Sequence, residues 1–364
     1  MEASGQGFGS TLSYDGTRIR FLTEGKGLPL VLCNGVLCSI GYWIHLRTFF
    51  KRRARVILWD YRGHGMSSPP RHLWNVTVGA HARDLLAVLD AAGVETAVLA
   101  GHSMGVQVIL EFYRRHPERV AGLIPICGTY GYPLRTFYGT PWSGRVLKPM
   151  LKRGERFPEA VGRVLKPLFL SPLAVPLARL SGAVHWYLCP GEAMKVYFQH
   201  LSTLDVAVAL RLVQAMVEHS AEDVLGSVAV PTLIVAGEQD PFTPVWVAEK
   251  MAAAIAGSEL LVIPRGTHTA LVEHPLLLNL RIELFLRDHF RHLGYDRRRG
   301  PLDEPARPRP DRGRTGRNGT LPSGGAPEAV QGARPLRPHS QAKGRRVRKR
   351  EEAFPGDPAT RRFP

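Results

Sequence analysis

The stretch Gly101-His102-Ser103-Met104-Gly105 constrains this chain more than any other. It has the form Gly-x-Ser-x-Gly. It follows the apolar run 96–100 and precedes a helical pattern over 106–113. Strand, sharp turn and helix in that order are the context of a nucleophile elbow. The glycines are explained by the tightness of the turn, because a side chain at either position would strike the neighbouring strand or helix. The strained turn lifts the Ser103 hydroxyl clear of the sheet edge. It also sets that hydroxyl at a helix N-terminus, where backbone N–H groups favour developing negative charge. A glycine-rich turn that merely contains a serine would not need the flanking strand and helix.

A hydroxyl at its ordinary pKa is a weak nucleophile, so a base and an orienting acid are needed elsewhere. With an elbow of this kind they follow in the order serine, acid, histidine. A buried-type strand over 231–236 leads into Gly237-Glu238-Gln239-Asp240-Pro241. A short strand over 259–264 leads into Arg265-Gly266-Thr267-His268-Thr269. Asp240 and His268 therefore both fall on loops at the carboxyl edge of a parallel sheet, the edge that carries the elbow. Glu238 is the alternative acid, earlier in its loop. His274 is the alternative base, placed before Pro275 at the start of the last helix. His102 and His64 lie inside motifs and read as packing or hydrogen-bonding residues.

Residues 10–128 and 225–293 resemble the α/β-hydrolase superfamily, and within it the esterase, lipase and haloperoxidase-like branch. The resemblance rests on Gly101–Gly105, on Asp60-Tyr61-Arg62-Gly63-His64-Gly65-Met66-Ser67, on the 237–240 loop and on Gly266-Thr267-His268, in that order and spacing. It implies an α/β fold, a doubly wound, mostly parallel eight-stranded sheet. It implies Ser103 as nucleophile, His268 as base and Asp240 as its partner, with no metal or organic cofactor. The oxyanion donors would be the backbone N–H of Met104 and, in the loop after an early strand, that of Val36. Two positions depart from the family. Asn34 stands where a histidine is usual, and Val106 where many members have another glycine. Asp60 and Arg62 read as a bracing pair. A serine at the elbow argues against the dehalogenases and epoxide hydrolases of this fold, which carry aspartate there.

The remaining pattern divides the chain into a core at 1–128 and 223–295, a helical cap at 129–222 and a disordered basic tail at 296–364. In the core, a hairpin over 11–22 turns at Asp15-Gly16. Thr77 caps a helix over 78–92, with Leu85, Leu86 and Leu89 inward. The last helix, over 276–292, puts Leu280, Ile282, Leu284 and Phe285 inward. The tail holds 18 Lys and Arg against 8 Asp and Glu, is poor in large apolar residues and cannot offset the entropy of ordering. Its run Lys343–Arg350 has no interleaved aromatic, so nucleic acid is an unlikely partner.

In the cap, Gly-Arg-Val-Leu-Lys-Pro occurs at 144–149 and again at 162–167. The prolines predict short amphipathic pieces rather than one helix. Helices follow over 192–201 and 204–219, the latter with Val206, Leu210, Val213 and Val217 at helical spacing. Trp142, Trp186, Tyr187, Tyr197 and Phe198 read as pocket or cap-core residues. Residues 135–179 hold nine Lys and Arg and two Asp and Glu. The cap is either a contact with an anionic membrane or a lid with its charges in water.

Cys33, Cys38, Cys127 and Cys189 show no metal or redox spacing, and Cys33 and Cys127 read as core thiols. No signal-peptide pattern or transmembrane run is evident. The expectation is a cytoplasmic protein, or one peripheral to a membrane, whose partner is a small-molecule or lipid ester. The expected reaction is ester hydrolysis through an acyl-enzyme, on medium or long acyl chains such as those of a monoacylglycerol or lysophospholipid. A perhydrolase or an acyltransferase on the same residues, and a non-catalytic ligand-binding protein, stay open. So does the oligomeric state.

Overall fold

The structure, a computed structural model, describes residues 7–137, 142–293 and 295. The tail expected at 296–364 lies outside the described residues. Eight strands form one sheet in the order β1-β2-β4-β3-β5-β6-β7-β8. They are β1 Gly7–Leu12, β2 Arg18–Glu24, β3 Pro29–Cys33, β4 Arg55–Trp59, β5 Ala97–His102, β6 Val120–Ile126, β7 Leu233–Gly237 and β8 Glu259–Ile263. β2 runs antiparallel to both its neighbours, β1 and β4, and the other pairs are parallel. The hairpin turn falls at Asp15-Gly16, where Gly16 takes a φ of 79°.

The central strands are buried almost end to end. Parallel strands covered on both faces need apolar side chains on both, which is why they read as continuous apolar runs. Val31 and Cys33 of β3 point into one core and Leu30 and Leu32 into the other. The first core packs on α2 Val78–Ala91, α3 Met104–Arg115 and α9 Val245–Ala254. The second packs on α1 Ile44–Phe50, the short α10 Ala270–Glu273 and α11 Pro275–Phe290. Thr77 caps α2, its Oγ1 accepting the Ala80 N–H at 3.0 Å.

Among the described residues, five α-helices stand between β6 and β7: α4 Trp142–Arg156, α5 Pro158–Leu170, α6 Ala174–Leu180, α7 Gly191–Thr203 and α8 Val206–Glu218. The two copies of the repeat sit on α4 and α5, but their prolines do not end them. Pro149 and Pro167 lie inside their helices, and the break comes at Phe157. A proline near a helix's exposed side forfeits one hydrogen bond that water can replace. The last helix of this segment, α8, has two apolar stripes. Val208, Leu212 and Met216 enter the core, while Val206 and Leu210 meet Gly162 of α5 and Gly154 of α4.

One expectation for α11 fails. Ile282 and Phe285 are buried, but Leu280 and Leu284 are exposed, and Leu278 and Leu286 take their places inward.

Parallel registry decides where the loops go. Cys33 pairs with Gly101, and Gly237 with Ile263. The segments after β3, β5, β7 and β8 therefore leave from one carboxyl edge, where such sheets place their reacting groups.

Candidate active site

Ser103 directly follows β5 and precedes the first residue of α3, at φ 54° and ψ −115°. That conformation is strained for a residue with a Cβ. Its N–H donates to the Ile126 carbonyl at 3.0 Å, which ties the turn to β6. A Cβ on Gly105 would lie 2.3 Å from the Cys33 carbonyl of the neighbouring strand. A Cβ on Gly101 would lie 2.3 Å from the Gly105 carbonyl at the helix start. Both glycines are thus required by space alone.

The residues nominated on the two late loops converge on this serine. His268 Nε2 stands 3.0 Å from Ser103 Oγ, and His268 Nδ1 stands 2.8 Å from Asp240 Oδ2. Asp240 is buried. Its Oδ1 accepts the N–H groups of Phe242 and Thr243 at 2.8 and 3.0 Å, and its Oδ2 also accepts the Thr243 hydroxyl at 2.6 Å. Burial pushes this carboxyl up, but His268 and the hydrogen bonds from His268 and Thr243 outweigh it and hold it below the ordinary carboxylate value. An ionised Asp240 makes Nδ1 the protonated ring nitrogen and leaves Nε2 free to accept the Ser103 proton. Such a chain can pass a proton from hydroxyl to imidazole while the carboxylate fixes the tautomer.

The competing residues are placed elsewhere. Glu238 is exposed and its Oε2 accepts the Arg265 N–H at 2.7 Å, so it buttresses the β8 loop. His274 precedes α11 and does not line the cavity around Ser103. His64 is buried against the Arg62 carbonyl, and burial lowers its pKa to about 3. His102 is buried as well and lowered by burial to about 3. Its Nε2 donates to the His268 carbonyl at 2.9 Å, which ties the elbow to the histidine loop.

Val36 and Met104 flank Ser103 on the wall of the same cavity. The Val36 loop is fastened through Asn34. Its Nδ2 donates to the Trp59 carbonyl at 2.8 Å, its Oδ1 accepts from Trp43 Nε1 at 2.9 Å and its carbonyl accepts the Tyr61 hydroxyl at 2.6 Å. Asparagine, with both a donor and an acceptor, links two elements at once.

The expected Asp60–Arg62 pair is absent. Asp60 accepts the N–H groups of Ile40 and Met66, both at 3.0 Å. Arg62 turns instead beneath the hairpin, 2.6 Å from Asp84 and 2.8 Å from Asp15. Gly63 and Gly65, both at positive φ, bend the loop between these two directions.

Sequence reading missed Glu273. Its buried carboxylate accepts the N–H and hydroxyl of Thr267, the hydroxyl of Thr269 and the backbone N–H of His185. The signal was present as a carboxylate one helical turn beyond two threonines that bracket the histidine.

A cavity of about 380 Å³ opens on Ser103, His268 and Thr243. Its walls are largely apolar and include Phe137, Ala178, Met194, Tyr197, Phe198 and Phe242. Tyr197 and Phe198 thus fall where expected, whereas Trp186 and Tyr187 are exposed. The side chain of Trp142 lies outside the described residues. All four cysteines are buried and unpaired by disulfides. Among the described residues no group of three or more His, Cys, Asp or Glu is placed to hold a metal ion.

Known proteins resemble this chain in sequence and fold. The family described as alpha/beta hydrolase fold matches residues 29–275. A protein of Azorhizobium caulinodans named "Putative carbamate hydrolase RutD" is 29% identical, over 70% of this chain and 90% of its own length. The structure of a thermophilic esterase from Thermogutta terrifontis superposes with a TM-score of 0.61 and 25% identity, covering 78% of this chain and 99% of its own. A bromoperoxidase from Bacillus anthracis superposes at 0.63 with 19% identity over 77% and 100%, a likeness of fold.

Proposed function

The chain belongs to the alpha/beta hydrolase fold family, and from that premise we propose that this hydrolase cleaves carboxylic esters bearing an apolar acyl group, through an acyl-enzyme on Ser103. The observation that carries the reading is the continuous hydrogen-bonded chain Ser103–His268–Asp240, of which Ser103 and His268 line an apolar cavity. As Ser103 Oγ attacks the ester carbonyl, His268 Nε2 takes its proton. Asp240 stabilises the resulting imidazolium. The backbone N–H groups of Val36 and Met104 receive the oxyanion. His268 then protonates the departing alcohol, and water, deprotonated by the same imidazole, releases the acid.

The inserted helices act in this reading as a cap over the acyl site, since Ala178, Met194, Tyr197 and Phe198 come from them. A cavity of this size and apolarity favours a medium or long acyl chain over acetate. The test is a series of p-nitrophenyl esters of rising chain length, with wild type and Ser103→Ala. Turnover should rise from acetate to a medium chain, and the variant should lose at least about a thousandfold. Turnover unchanged in Ser103→Ala would overturn the reading.

The same residues could attack a carbamate carbonyl, and the name of the Azorhizobium relative gives that second reading its support. Aryl carbamates in the same assay separate the two by kcat/KM. Peroxide-dependent halogenation of a dye would separate a perhydrolase.

A further inference from the structure

We propose that the outer face of the inserted helices docks on an anionic lipid surface, with α6 as the element that enters it. On α6 and the residue before it, Leu173, Leu177 and Leu180 recur at i, i+4 and i+7 and so share one face. They are 61%, 46% and 80% exposed. On the other side of the same helix Ala174 is buried and Ala178 lines the cavity that holds Ser103. A helix that only roofed a pocket would present polar residues outward. Trp186 and Tyr187 follow, 49% and 86% exposed, and both are side chains suited to the headgroup boundary.

The fourth helix shows the same inversion with charge added. Leu147, Leu151 and Gly154 face inward, Gly154 against Leu210 of α8. Beside that seam run the exposed Val146, Met150 and Phe157. Beyond them run Arg145, Lys148, Lys152 and Arg156. Val164 and Leu170 of α5 are exposed too. Exposed apolar side chains in this number mark an interaction surface. With nine basic residues against two acidic ones over 135–179, the surface complements a negatively charged layer above an apolar one. Leucines would enter the acyl region while long basic side chains reach the phosphates.

Contact lies in the plane rather than through the bilayer. No single described helix is long and apolar enough to cross a membrane. Helices α5 and α6 reach that composition only as a pair bent by 95°. Docking rests on this surface alone. Delivery of a membrane-borne acyl ester past α6 to Ser103 rests in addition on the ester-hydrolase reading.

The experiment is co-sedimentation of the full chain with vesicles of pure phosphatidylcholine and of phosphatidylcholine with about one third phosphatidylserine, at low and high salt. Wild type should sediment with the anionic vesicles at low salt and be released by high salt. Leu177→Glu/Leu180→Glu and Lys148→Glu/Lys152→Glu should each lower partition about tenfold. Both variants should melt as wild type does and hydrolyse a water-soluble short-chain ester within about twofold of it. Failure of wild type to bind, or undiminished binding by both variants, would overturn the proposal, the latter assigning any binding to another part of the chain. Ser103→Ala should bind as wild type does. Vesicle binding by a protein inert toward all esters would leave docking intact and sink the ester reading.

Discussion

Glu273 grips Thr267 twice: its Oε2 accepts the backbone N–H at 2.8 Å and its Oε1 the hydroxyl at 2.6 Å. The same Oε1 accepts the Thr269 hydroxyl at 2.5 Å, so one buried carboxylate holds the chain on both sides of His268. It also accepts the His185 N–H at 2.8 Å, which fastens the inserted segment to the histidine loop. Glu273→Gln keeps the shape but turns one acceptor into a donor that faces a backbone N–H whichever way the amide is turned. The expected result is a kcat lowered about tenfold with KM little changed, and a stability loss of about 1–3 kcal/mol. Unaltered kcat beside a lowered Tm would make Glu273 a residue of the fold only.

Asp240→Asn tests the tautomer argument. The Phe242 and Thr243 N–H groups can still bond the amide oxygen, so the loop should persist. An amide NH₂ toward Nδ1 would favour the other tautomer, with its proton on Nε2, where the Ser103 proton must go. Loss of about 10⁴ in kcat at neutral pH is expected, with Tm within a few degrees of wild type. Retention of more than a tenth of the activity would remove Asp240 from the mechanism.

The Val36 loop offers a test of the departure at Asn34. Truncating Asn34 to alanine leaves the buried Trp43 Nε1–H without its acceptor and frees the loop from Trp59. Unfolding should become easier by about 1–3 kcal/mol. If the Val36 N–H meets the oxyanion, kcat should fall about tenfold or more as its aim is lost. Full kcat at a temperature where Asn34→Ala remains folded would rule out a role for that loop beyond packing.

The elbow, the buried parallel strands and the two late loops were legible because each rests on local chemistry: glycines that space demands, and buried strands that must be apolar throughout. Interactions that depend on which way a loop bends were not. Asp60 and Arg62 are two apart, but the turn at Gly63 sends the guanidinium to Asp84 and Asp15, far away in sequence. Leu276, Leu280 and Leu284 recur every four residues, as a buried stripe would, yet face solvent, because the neighbouring row Leu278, Ile282 and Phe285 packs on the sheet. Apolar periodicity finds a face but not its direction when a helix carries two such rows. The prolines of α4 and α5 misled for a related reason: propensity scores the lost hydrogen bond, not the packing against α8 that outweighs it.

Glu111 provides the acid-stability test. On α3 it is buried and takes hydrogen bonds from Arg114, Arg115 and His219. Burial raises its pKa, but His219 and the two guanidiniums outweigh that and bring it to about 2. A folded value below the unfolded one means the ionised carboxylate stabilises the native state. That contribution is complete above the unfolded value of about 4.3 and is lost as pH falls toward the folded one. Asp15, lowered to about 2 when hydrogen bonds from Thr17 and Arg62 outweigh its burial, acts in the same direction in both proteins. The difference between wild type and Glu111→Gln therefore isolates one group. At pH 7 the variant should melt below wild type. From pH 5 down to 2 the wild-type Tm should fall more steeply, and the two curves should converge. Parallel curves across that range would mean that Glu111 stabilises by packing and that its charge is immaterial.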